Sequence, residues 1–314
     1  MNAKGICLKI VSVILSVVML FPYCTVEAGN SMKAGQDCIE LIKKCEGFSK
    51  YKYWDYSQWT IGYGTGVGAD EYPDGITEEE AEKLLKNALG TYEGYVNKFA
   101  DKYNISLKQN QFDALVSLSY NMGNIWSVYD EFALKSYLID GAEKHSFLEI
   151  AKAFGEWRVA GGSVLQGLVN RREDETKLFL SDRTENKSEV WRVNTESGIN
   201  LRESADSSSS KTGFLPMNTI YEVTEKKTND GSLWGKIFAD GRESWCILDY
   251  SRYIVGGPLE YGESGDGSGK TEKWRVTSDN GLNLREGPGL SYKSLEVLDN
   301  RTEFSVSQTV EADE

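Results

Sequence analysis

The sequence predicts an α+β domain, mainly helical with a small β-hairpin region, followed by one or more small all-β barrel domains. Three observations carry this expectation. Apolar residues recur at helical spacing through most of residues 29–180. Tyr51–Gly68 interrupts them with aromatic residues and glycines suited to strands and tight turns. Beyond residue 190 the pattern shifts towards alternation, and a segment repeats.

At the start, Lys4 and Lys9 precede an apolar run from Ile10 to Phe21, and Val26-Glu27-Ala28 offers small residues around a cleavage point. Residues 1–28 are therefore expected to form an export signal, with the product secreted to the exterior or the cell wall. The run is shorter than the roughly 20 residues of a membrane span, and retention as an anchor stays open as the alternative. No later stretch is apolar enough to cross a bilayer.

Asp37–Glu46 reads as a short amphipathic helix with Asp37 as its N-cap, since Cys38, Leu41, Ile42 and Cys45 fall on one face. Seven residues of helix hold Cys38 and Cys45 roughly 10.5 Å apart, too far for a disulfide. They read as buried thiols, with redox control at Cys45 as the alternative. Thr77 and Glu80 form a capping box, followed by an apolar stripe through Leu84, Leu85, Ala88, Tyr92, Tyr95, Val96 and Phe99. Phe112–Tyr120 and Phe147–Phe154 read as core helices, and Leu168–Leu180 closes the domain at 29–180. Residues 181–189 are polar and read as a linker.

The repeat has an offset of 83 residues: Trp191-Arg-Val and Gly198-Ile-Asn-Leu-Arg-Glu203 return as Trp274-Arg-Val and Gly281-Leu-Asn-Leu-Arg-Glu286. It predicts a β domain at 190–255, a Gly/Ser-rich flexible linker at 256–272 and an incomplete second copy at 273–314. Trp191, Leu201 and Trp245 are expected in its core rather than against a ligand, and Arg202 is expected to be structural.

Composition narrows the chemistry. Of 314 residues, 35 are basic and 48 acidic, a net charge of −13, which argues against nucleic acid as a partner. The excess is spread along the chain: 17 basic against 23 acidic residues at 29–180, and 16 against 24 at 181–314. No basic field draws either part onto an anionic surface. The single histidine, His145, reads as a solvated surface residue and excludes multi-histidine metal sites. Carboxylate chemistry remains. Glycoside hydrolysis needs a carboxylic acid to protonate the leaving oxygen and usually a second carboxylate. Glu46 lies just before Gly47, and Asp55 and Thr60 lie in the glycine-rich hairpin region. Apolar neighbours (Phe48, Tyr51, Trp54) would favour a protonated Glu46. Composition alone does not single out this trio among 48 acidic residues.

A family resemblance does. Glu46-Gly47, Asp55 and Thr60-Ile-Gly-Tyr-Gly64, the run Gln109–Gly123, and Trp157, Ala160-Gly-Gly162 and Gly167-Leu-Val-Asn-Arg-Arg-Glu173 occur in order. Through these motifs residues 37–180 resemble the phage-type (T4-like) lysozymes, or endolysins. Two departures are visible: Tyr56–Trp59 places four residues between Asp55 and Thr60 where the family usually has five, and Thr65 stands where it usually has His. The resemblance implies a lysozyme-like fold and a general acid at Glu46. It implies that Asp55 and Thr60 position and activate the attacking water. The implied reaction is hydrolysis of the β-1,4 bond between N-acetylmuramic acid and N-acetylglucosamine, without metal or organic cofactor.

The tail resembles bacterial SH3-like wall-binding domains through Gly198–Arg202 and Trp234-Gly-Lys236. It implies peptidoglycan as partner, with the glycan strand in the catalytic cleft and a stem or cross-bridge peptide at the SH3-like domain. A monomer is expected, without membrane association once the signal is removed. Alternatives are a non-catalytic wall-binding protein on this scaffold, a lytic transglycosylase and a chitin-directed glycosidase.

Overall fold

The computed structural model describes residues 31–55, 58–184, 187–229 and 231–257, with further segments at 272–275, 282–285, 294–298 and 302–306. The expected export signal lies outside the described residues, as does most of 256–272. The chain divides into two compact units. The first comprises residues up to 193 with 218–222 and 252–257; the second comprises 194–217, 223–251 and the chain from 258 onward.

The first unit opens with α1 (Gln36–Glu46), then a three-stranded antiparallel sheet of β1 (Ser49–Asp55), β2 (Gln58–Gly62) and β3 (Thr65–Val67). Helices α2 (Glu78–Tyr103), α3 (Gln109–Met122), α4 (Ile125–Val128), α5 (Ala133–Asp140) and α6 (Phe147–Gly155) follow. A two-strand turn, β4 (Val159–Ala160) with β5 (Ser163–Val164), leads into α7 (Gln166–Phe179). Every residue from Phe112 to Ser119 is buried, so α3 is enclosed on all sides and forms the axis on which α1, α2 and α7 pack.

The capping box opens α2 as the sequence predicts: Glu80 N–H donates to Thr77 Oγ1 at 3.2 Å, and Thr77 N–H donates to the Glu80 carboxylate at 2.8 Å. The buried face of α2 runs through Ala81, Leu85, Leu89, Glu93, Val96 and Phe99, and Leu84, Ala88, Tyr92 and Tyr95 of the expected stripe are only partly buried. Glu93 is 7% exposed and accepts from Ala34 N–H and the Lys33 ammonium, tying down the segment before α1. The N-cap of α1 also differs. The helix begins at Gln36, its cap is Gly35, and Asp37 sits in the first turn. Asp113 of α3 supplies the missing acceptor, taking Gly35 N–H at 2.8 Å. His145 is not solvated: its side chain is 16% exposed and stacks on Tyr137 with ring centroids 4.0 Å apart. Cys38 and Cys246 are buried, and Cys45 is of intermediate exposure.

The all-β part contains β6 (Glu189–Val193), β7 (Ile199–Arg202), β8 (Lys211–Leu215), β9 (Ile220–Val223), β10 (Glu225–Asn229), β11 (Ser232–Ala239), β12 (Arg242–Ile247) and β13 (Ser251–Gly256). A sheet of order β13-β6-β9 falls almost wholly in the first unit, and a five-stranded sheet of order β10-β11-β12-β7-β8 falls in the second. Leu201 is buried, as expected of a core residue. Trp191 and Trp245 are only half-buried: Trp191 meets Tyr253 edge-on, and the Lys236 ammonium lies 5.3 Å from the Trp245 ring centre. The indole of the core is Trp234, 1% exposed.

The repeat has a structural counterpart. In the tail, β14 (Glu272–Arg275) pairs with β17 (Glu303–Val306), and β15 (Leu282–Arg285) with β16 (Ser294–Leu298). Shifted by the repeat offset, these are β6 with β9 and β7 with β8. The register Ile199↔Leu215, Asn200↔Phe214, Leu201↔Gly213, Arg202↔Lys211 returns as Leu282↔Leu298, Asn283↔Val297, Leu284↔Glu296, Arg285↔Ser294, including the irregularity before the arginine.

Candidate active site

Glu46 ends α1, and Gly47, with φ of 69°, turns the chain out of the helix immediately after it. The Glu46 side chain is 26% exposed. Its Oε1 accepts from Arg171 Nη1 of α7 at 2.6 Å. Arg171, 4% exposed, also donates from Nε to Glu175 Oε1 at 3.2 Å and from Nη2 to the Ser117 carbonyl at 3.1 Å. Burial opposes the Arg171 charge, but Glu175 and Glu46 more than compensate and raise its pKa. Glu175 is wholly buried and accepts in addition from Ser117 Oγ at 2.9 Å and Arg172 Nη2 at 2.9 Å. Two guanidinium groups, Glu175 and Glu46 thus form one network in which the charges balance.

The other Glu46 oxygen looks towards the turn after β2. A side chain at Gly64, where φ is 85°, would place its Cβ 3.3 Å from Glu46 Oε2 and 3.4 Å from the Tyr120 hydroxyl. Gly64 therefore keeps that oxygen uncovered. Tyr120 Oη donates to the Tyr63 carbonyl at 2.8 Å, and burial, helped by the Glu46 charge, pushes its pKa up.

The hairpin supplies the remaining residues of the trio. Pairing of Tyr53 with Thr60 and of Asp55 with Gln58 puts Asp55 and Thr60 on one face, diagonal to each other. Tyr53 shares that face; burial raises its phenol pKa, as do the charges of Asp55 and then Glu46. Exposure separates the pair: Asp55 is exposed at the end of β1, whereas Thr60 is 1% exposed and its hydroxyl finds no partner among the described residues.

The expected apolar surroundings of Glu46 are not what the structure provides. Phe48 packs on Tyr63, Tyr51 and Trp54 are each 59% exposed, and the group touching the carboxylate is a guanidinium. Arg171 was legible only as part of the run Gly167–Glu173, because nothing in a sequence pairs positions 125 residues apart.

In the second unit, Gly198, Asn200, Arg202, Trp234, Ile247 and Tyr250 line a cavity of about 290 Å³. Arg202 is partly structural there, with Nη1 donating to the Ser209 carbonyl at 2.5 Å. Among the described residues, no group of three His, Cys, Asp or Glu is placed to hold a metal ion. Likewise no helix among them is long and apolar enough to cross a membrane.

Residues 43–175 match the family model described as Phage lysozyme, and residues 197–254 match that described as Bacterial SH3 domain. The endolysin of Salmonella phage P22 is 33% identical over 155 residues, an alignment covering 48% of this chain and 99% of that protein. The chain belongs to the phage lysozyme family. The endolysin of Bacillus phage B103 is 38% identical over 161 residues, covering 50% of this chain and 57% of its own length. That of Lactococcus phage c2 is 36% identical over 156 residues, covering 47% and 60%. The chain thus spans little more than half of these last two relatives. Its lysozyme-like helical domain precedes a bacterial SH3 domain of antiparallel sheets.

Proposed function

We propose that this phage lysozyme homologue is a muramidase that hydrolyses the β-1,4 bond between N-acetylmuramic acid and N-acetylglucosamine in peptidoglycan. The observation that carries the reading is the placement of Glu46. One of its oxygens is fixed by a buried arginine, while the other points past Gly64. Arg171 can donate to Oε1 whether the carboxyl is charged or neutral, so Oε2 is the oxygen that would carry the proton to the leaving group. Asp55 and Thr60, sharing one hairpin face, would orient and activate the attacking water. The cavity lined by Asn200, Trp234 and Tyr250 would take a wall peptide, holding the enzyme near its substrate. In this reading the product is exported, and residues 1–28 are the signal.

The test is mass spectrometry of fragments released from purified peptidoglycan by the full chain, with Glu46→Gln as control. Reducing-end N-acetylmuramic acid from the unmodified chain alone is the expected result. Anhydro ends would replace hydrolysis with a transglycosylase reaction, and equal release by both proteins would remove Glu46 from its role.

A further inference from the structure

Within the first unit, the sheet β13-β6-β9 is bound to the lysozyme helices by both apolar and ionic contacts. Val190 and Ile254, 0% and 1% exposed, belong to the same hydrophobic core as α1, α2, α3 and α6. Ile220 of β9 comes so close to Gly155 of α6 that a Cβ there would lie 2.9 Å from Ile220 Cδ1. The helix therefore does without a side chain where the strand passes. Arg158, just beyond α6, donates to the Asn218 carbonyl at 3.2 Å.

The ionic part centres on Glu173 of α7, 3% exposed. Arg192 of β6, itself wholly buried, donates from Nε to Glu173 Oε1, and Arg252 Nε of β13 lies 3.0 Å from Oε2. Arg192 is held in turn by Asn218 Oδ1 at 3.0 Å. A buried carboxylate gripped by two arginines is stabilising only while all the partners stay in place, so it fixes position strictly. A tether whose sole task is reach has no use for such a clamp.

We propose that this sheet is a working part of the catalytic unit, and that Arg192 and Glu173 are positioning residues for the Glu46 carboxyl. Glu173 lies two residues from Arg171 on the same helix. Clamping it fixes where α7 presents the guanidinium that reaches Glu46. Displacements of about 1 Å in such a constellation cost large factors in rate. The proposal rests on Glu46 being the acid, but one of its readouts is independent of activity.

The experiment uses the full chain carrying Arg192→Met, Arg192→Lys or Arg252→Met. It measures hydrogen exchange of the α7 amides, together with kcat and KM on soluble peptidoglycan fragments. Expected are faster α7 exchange in Arg192→Met by about tenfold, a fall in kcat of about tenfold with KM within about twofold, and partial recovery of both in Arg192→Lys. Arg252→Met, which leaves the buried arginine in place, is expected to show the same changes at smaller size. It also serves as the test if Arg192→Met does not fold. Unchanged α7 exchange in folded variants overturns the clamp. Faster exchange with unchanged kcat overturns the positioning role and leaves only stability. Inactivity of every variant and of the unmodified chain, with α7 exchange altered as expected, would instead refute the muramidase reading.

Discussion

Arg171 Nη1 and Glu46 Oε1 are 2.6 Å apart, across 125 positions of sequence, and the same guanidinium is shared with the wholly buried Glu175. Removing the arginine would strand Glu175 with Arg172 as its only cation. Arg171→Met is expected to destabilise the chain by about 3–5 kcal/mol, since breaking a buried ion network leaves an uncompensated charge. Denaturant unfolding checks this. A midpoint equal to that of the unmodified protein would mean the network is not what holds α1 to α7.

Thr60 offers a separable test of stability against chemistry. Its hydroxyl is buried without a partner among the described residues. A buried unsatisfied hydroxyl costs about 1–3 kcal/mol. Thr60→Val keeps the shape and removes that cost, so thermal unfolding should move upward. If the hydroxyl positions water in the reaction, glycan cleavage should meanwhile fall at least about tenfold. Loss of both stability and activity would show that the hydroxyl is satisfied in solution.

A pH effect is expected away from the cleft. Lys43 and Lys86 donate to Glu82 at 2.9 and 2.7 Å, and these bonds, that from Lys43 first, hold its carboxyl at about 2 instead of 4.5. The folded-state value is depressed, so the contribution is present above the ordinary carboxylate range and is lost as pH falls from 4.5 towards 2. Carboxyl carbon shifts in an NMR titration read this directly. Lys43→Met should bring the Glu82 midpoint back up, and an unmoved midpoint would point to Lys86 alone.

Burial pushes the Cys45 thiol up to about 11, with Arg171 only partly offsetting it. Thiolate therefore accumulates only as pH rises, and alkylation at neutral pH should be slow. Cys38 is fully buried and also raised by burial. Timed labelling with iodoacetamide should mark neither residue readily in the native chain, and both in denaturant. Rapid native labelling of Cys45 would revive the reading of it as a redox-sensitive residue.

The parts of the architecture legible in the sequence were those set by short-range periodicity. The helix face of Cys38, Leu41 and Ile42, the Thr77–Glu80 box and the 83-residue repeat each depend on spacing alone, and each has a structural counterpart. What was misread depends on distant partners. Asp37 looks like a cap until Asp113 arrives from another helix to accept Gly35 N–H. Glu93 sits on a buried face because residues before α1 bring it donors. His145 reads as solvated because Tyr137, which covers it, lies eight positions earlier in α5, whereas His145 itself sits in extended backbone ahead of α6. At the site, the hairpin register was readable from Asp55 to Thr60, whereas the guanidinium at Glu46 was not.

The closeness of Ile220 to Gly155 bears on how such chains recombine. A crossover placed in the polar stretch after α7 would deliver a helix lacking a side chain to a strand that no longer arrives, leaving a groove on α6 and an unanswered Glu173. Exchange of wall-binding modules between relatives is thus expected to keep the 190–193, 218–222 and 252–257 segments with the helices, or to replace Gly155 and Glu173 at the same time. Such joints would be found inside the β fold and not ahead of it.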